Sequence, residues 1–116
     1  MLQRSLHIEQ CLTPGQCVLR LEGPLVMSTL STFDDAVRAD KTRCLIIDLT
    51  AVPYVDSAGI GALVAAYVSS HCRERSLALV GANERVRNSL RVAWVESLFR
   101  FFNSVSAAED ATPRSG

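Results

Sequence analysis

Apolar and polar positions alternate at the start of the chain. Leu6, Ile8 and Gln10 alternate along residues 6–12, and Cys17, Leu19 and Leu21 oppose Arg20 and Glu22 along residues 17–22. A period of two predicts two strands, the second with one solvated side. Between them Thr13-Pro14-Gly15-Gln16 carries turn chemistry, since proline fixes one torsion and glycine permits positive φ. The two strands therefore predict a hairpin. After Gly23-Pro24 the spacing of Leu30, Phe33, Ala36 and Val37 becomes helical. Ser28 or Thr29 is placed to cap that helix, with Asp34 and Asp35 early and Arg38 and Lys41 late, as the helix dipole favours.

Residues 44–49, Cys-Leu-Ile-Ile-Asp-Leu, form a short apolar run of the kind found in a central strand covered on both faces. Val52-Pro53-Tyr54-Val55 reads as a loop leading to Asp56-Ser57-Ala58-Gly59. Beyond it Ile60, Leu63, Val64, Tyr67 and Val68 fall at i, i+3, i+4, i+7 and i+8, an apolar helical stripe. Ala58, Ala62, Ala65 and Ala66 are small enough to let this helix lie close against a sheet, and His71, Arg73 and Arg75 mark its far end. Residues 77–80 predict another buried strand, and Asn83 is placed to cap a third helix with Val86, Leu90, Ala93 and Trp94 on one face. Residues 98–105 predict a last short strand or helical turn, and residues 106–116 a fraying tail. The domain is thus expected over residues 1–105. The order predicts an α/β fold: one mixed sheet of about four to five strands, an antiparallel hairpin followed by parallel pairing, with helices packed on it.

Composition narrows the function. In 116 residues there is room for one core, and 48% hydrophobic against 21% charged residues supports a folded domain. Twelve basic residues balance twelve acidic ones, so the excess positive charge of a nucleic-acid binder is missing. No apolar stretch reaches the roughly 18–20 residues of a transmembrane helix, and the first residues lack the pattern of a secretory signal. These features predict a cytoplasmic protein with no direct membrane insertion. Cys11, Cys17, Cys44 and Cys72 form no CxxC pair. Three of them lie in or beside apolar segments and read as small buried hydrophobes. His7 and His71 have no acidic or thiol cluster beside them, and no metal or cofactor is expected.

The groupings of conventional catalysis are missing: no GxSxG, GxxxxGK[ST] or HExxH occurs, and no enzymatic activity is expected. Gly59-Ile60-Gly61 opens a helix but lacks the third glycine of a dinucleotide fingerprint. The informative segment is the loop-to-helix junction Asp56-Ser57-Ala58-Gly59-Ile60-Gly61. Either Asp56 or Ser57 can cap the helix there. A helix N-terminus also stabilises negative charge, so a phosphate on Ser57 would be tolerated by the fold and would change the surface sharply.

Residues 45–49 (LIIDL) and 55–63 (VDSAGIGAL) together resemble the signature of STAS domains, the sulphate transporter and anti-sigma factor antagonist family. The resemblance extends over roughly residues 4–105 through residues 19–25 and 77–99. It implies a stand-alone anti-sigma factor antagonist, a bacterial signalling protein acting on transcription. Ser57 would be phosphorylated by an anti-sigma factor that is also a serine kinase, and a PP2C-type phosphatase would reset it. Unphosphorylated protein would bind the kinase and free a sigma factor. By the same resemblance Asp56, Ser57, Ala58 and Gly59 would form the partner surface, Asp56 orienting the hydroxyl or shaping the surface and Gly59 permitting close approach. The alternative is a constitutive STAS-like interaction subunit of a transporter or other signalling complex. A monomer is expected. Two positions depart from the family's habit: Val26 stands where a polar or acidic residue is common, and Trp94 where glycine is common. Trp94 is read as core, with a surface anchor as the alternative.

Overall fold

The computed structural model describes residues 5–111. Strands β1 (His7–Thr13) and β2 (Gln16–Glu22) form the expected hairpin, antiparallel with Thr13 opposite Gln16. Gly15 sits at φ 79°, the left-handed conformation its turn requires. The chain continues through a 3-10 turn (Met27–Thr29), α1 (Leu30–Ala39), β3 (Cys44–Ala51) and α2 (Ser57–Cys72). It ends with β4 (Ser76–Val80), α3 (Glu84–Val92), a second 3-10 turn (Glu96–Leu98), β5 (Arg100–Phe102) and α4 (Val105–Ala111). The five strands lie in the order β1-β2-β3-β4-β5, and every pair after the hairpin is parallel. The expected mixed α/β sheet is therefore observed, with β3 at its centre.

Alternate side chains of the sheet serve two cores. Leu19, Leu21, Leu45, Ile47, Leu49 and Leu79 meet Phe33 of α1, Leu63 of α2 and Leu90 of α3. Val18, Cys44, Ile46, Ala78 and Val80 face the other way and are covered by Ala108 of α4. This explains why β3 reads as a continuous apolar run. It also corrects two expectations. Residues 106–111, expected to fray, belong to a helix whose Ala108 is fully buried. Residues 112–116 of the expected tail lie outside the described residues. Val18, on the side of β2 expected to be wet, is buried beneath that helix.

Further differences have local causes. Thr29 does not cap α1 with its side chain. Its hydroxyl lies 3.0 Å from the carbonyls of Pro24 and Val26, donating there, and accepts from the Val26 amide at 3.0 Å, so it closes the preceding turn instead. In α2 the residues facing the sheet are Gly59, Ala62, Leu63, Ala66 and Ser70, while Val68 is exposed. Leu63 of the expected stripe is fully buried and Ile60, Val64 and Tyr67 pack against the core at its edge, while the small residues allow the closest approach. Cys17 and Cys44 are buried, and burial pushes the Cys17 thiol up to about 11. Cys11 and Cys72 are exposed, against the reading of cysteines as core.

Trp94 is the clearest departure. It is 91% exposed, with φ 64°, immediately after α3. The Val95 amide donates to the Leu90 carbonyl at 3.0 Å and the Trp94 amide to the Arg91 carbonyl at 3.0 Å. These are the paired bonds of a Schellman helix end, whose left-handed position normally holds glycine. Trp94 occupies that conformation at a steric cost while its ring remains in water. Trp94→Gly is expected to stabilise the domain by about 1 kcal/mol, raising Tm by about 4 °C. A thermal melt checks this, and an unchanged or lower Tm would show that the ring makes contacts worth more than the strain.

Candidate functional site

The junction before α2 is built from three segments. β2 leaves the sheet at Gly23, whose amide donates to the Ala51 carbonyl at 3.1 Å. Leu25 then runs parallel to Val55 in an isolated bridge, and its amide donates to the Tyr54 carbonyl at 3.2 Å. On the other side Asn83 holds the same loop. Its Oδ1 accepts from the Val86 amide at 2.8 Å, capping α3 as expected, while Nδ2 donates to the carbonyls of Val52 and Pro53, each at 3.3 Å. Arg85 lies over the Tyr54 ring at 4.9 Å. The loop is therefore pinned between the turn after β2 and the start of α3.

Of the two candidates for capping α2, Asp56 takes the role. Its Oδ1 accepts from the Gly59 amide at 2.8 Å and its Oδ2 from the Met27 amide at 3.0 Å. The Asp56 amide itself donates to the Leu25 carbonyl at 3.3 Å. Partial burial pushes the carboxyl up, but the amides of Gly59 and Met27 outweigh it and hold the group below the ordinary carboxylate value. Both oxygens are thus committed to backbone amides, one on each side of the junction. That geometry makes Asp56 the cap of α2 and its tie to the turn after β2.

Ser57 is the first residue of α2 and is exposed, and its hydroxyl makes no hydrogen bond among the described residues. Ala58 is half-buried. Gly59, expected at the partner surface, is instead buried. A Cβ there would run into the Leu25 carbonyl oxygen, so its glycine serves internal packing against the turn after β2. The open position is Gly61, where a Cβ would meet nothing within 4 Å. Asp56, Ser57 and Ala58 are therefore brought to the surface together, and Gly59 lies beneath them. Met27, 73% exposed beside Asp56, was not legible in the sequence as part of this site. Its position depends on a contact across 29 residues that no local pattern encodes.

Among the described residues no group of acidic, histidine and cysteine side chains could hold a metal ion, and no helix is long and apolar enough to cross a membrane. Solved structures resemble the whole fold. An anti-sigma factor antagonist from Mycobacterium paratuberculosis superposes with a TM-score of 0.81 at 23% identity, covering 91% of this chain and 92% of that one. The Bacillus cell fate determinant SpoIIAA, in its phosphorylated form, gives 0.70 at 14% identity, covering 92% and 99%. A sulfate transporter family protein from Wolinella succinogenes gives 0.73 at 22% identity, covering 84% of each chain. No curated protein matches the sequence. The model of the STAS domain family matches residues 7–108, nearly the whole chain, and the protein belongs to that family.

Proposed function

We propose that the protein is an anti-sigma factor antagonist whose binding to an anti-sigma factor serine kinase is switched by phosphate on Ser57. The observation that carries this reading is the unengaged, exposed Ser57 hydroxyl on a junction otherwise fixed by Asp56. Antagonists among the similar structures, one of them in a phosphorylated form, support it. In the transfer, the Ser57 oxygen bonds to the γ-phosphorus of a nucleoside triphosphate. The bond to the bridging oxygen breaks, the diphosphate leaves, and the hydroxyl proton passes to a base on the kinase. The product adds about −1.5 to −2 charges to the surface. A PP2C-type phosphatase would hydrolyse the ester and restore the binding form. The domain itself acts as substrate and binding module, working in the cytoplasm as a monomer.

Ser57→Asp is expected to weaken binding to the kinase about a hundredfold, equivalent to about 2.7 kcal/mol. Ser57→Ala is expected to bind as the wild type does and to resist switching off. Isothermal titration against the kinase, with phosphopeptide mass spectrometry of the native protein, tests both. Equal binding by the two variants would leave the second reading, a fixed interaction subunit of a transporter or other signalling complex. The likeness to the Wolinella sulfate transporter family protein favours that reading over an enzyme.

A further inference from the structure

We propose that Met27 is the specificity-determining residue for modification of Ser57: the kinase that phosphorylates this serine seats the Met27 side chain in an apolar socket beside its phosphoryl-transfer site. The inference rests on the switch reading of Ser57 and adds to it how the partner finds that serine. Met27 is 73% exposed on a turn closed by Thr29, whose hydroxyl bonds the Val26 amide and carbonyl. The Met27 amide binds the carboxylate that caps α2 one residue before Ser57. Methionine and phosphoacceptor are therefore held on one rigid frame, and capture of one orients the other.

The helix that carries Ser57 gives the kinase no carboxylate, ammonium or guanidinium group to read. No Asp, Glu, Lys or Arg occurs in the sixteen residues of α2, and Gly61, Ala65 and Val68 continue its exposed face away from Ser57. Depletion of charge with an exposed methionine is the composition of an interface centre, and a flexible thioether fits an apolar pocket at little steric cost. Within α2 and its N-terminal cap the one charged side chain is Asp56, already engaged on both oxygens; the next charges lie off the helix, Arg85 over the Tyr54 ring and Asp34 and Arg38 beside Ala62 and Ala65.

The test measures initial rates of phosphate incorporation at Ser57, using unphosphorylated protein, labelled ATP and extract of the native cells, with Ser57→Ala as the blank. Met27→Lys is expected to be labelled about tenfold more slowly than wild type. Met27→Gln, uncharged and close in shape, is expected to fall in the same direction, while Met27→Leu stays within about twofold. Because the side chain is exposed, all three are expected to melt within a few degrees of wild type. Labelling of folded Met27→Lys and Met27→Gln at the wild-type rate would overturn the role of Met27 and leave the Ser57 switch standing. Absence of label at Ser57 in the wild type would overturn the switch and this inference with it.

Discussion

Asp40→Ala is expected to destabilise the domain by about 3–5 kcal/mol, the largest effect of any single side-chain truncation on its polar groups. Asp40 and Arg75 form an ion pair with Nη1 to Oδ2 at 3.0 Å and side chains only 1% and 4% exposed. The same Nη1 lies 2.9 Å from the Asp40 carbonyl, and Nε donates to Ser70 Oγ at 3.3 Å. The Asp40 carboxylate also accepts from the Thr42 amide and hydroxyl, at 3.2 and 2.9 Å. One carboxylate therefore joins the end of α1, the approach to β3, the end of α2 and the start of β4. Its removal strands a buried guanidinium whose Nη2 already has no hydrogen-bond partner among the described residues. Such a charge has given up its water and keeps only neutral acceptors, the carbonyls of residues 40 and 42 and the Ser70 hydroxyl. Replacing both partners, Asp40→Leu with Arg75→Met, is expected to recover much of the loss, since an apolar pair needs no desolvation repaid. Urea unfolding of the two single variants and the double variant measures the coupling directly. A double variant no more stable than Asp40→Ala would show that the site depends on the hydrogen bonds to Thr42 and Ser70 instead of on charge.

That pair was invisible in the sequence for a physical reason. Arg75 follows His71 and Arg73 and reads as one more cation at a helix end, and Asp40 sits between Arg38 and Lys41. Only a contact across 35 residues makes them a buried unit. What could be read were properties written locally: the alternation of β2, the apolar run of β3, the Asn83 cap, and the loop-to-helix junction with its serine. Residues 106–111 failed the same reading because Ala, Ser, Glu and Asp suit a tail as well as a short helix. Only the uncovered row Val18, Cys44, Ile46, Ala78 and Val80 calls for a cover there. Trp94 failed in the opposite sense. Its spacing from Val86 and Leu90 continues a helical face, but the helix has already ended, and the left-handed turn swings the ring into water.

Gly59→Ala is expected to cost about 3 kcal/mol, whereas Gly61→Ala, two residues away, is expected to stabilise. The sequence Gly-Ile-Gly offers no ground for telling them apart, and the fold does. At position 59 the added methyl collides with the backbone carbonyl of Leu25, which cannot rotate aside as a side chain could. That carbonyl also accepts from the Asp56 amide at 3.3 Å, so relief of the clash must move either the turn after β2 or the cap of α2. At position 61 the methyl projects into open space, and replacing a glycine inside an exposed stretch of helix recovers about 0.5–1 kcal/mol of backbone entropy. Denaturant midpoints at constant slope separate the two effects. Shifts of the same sign would refute the assignment of Gly59 to packing and Gly61 to the open face. The glycine at 61 thus carries a stability cost that the isolated domain does not need. If the partner lies along α2, Gly61→Ala will raise Tm while weakening kinase binding, a split between stability and affinity that packing alone does not produce.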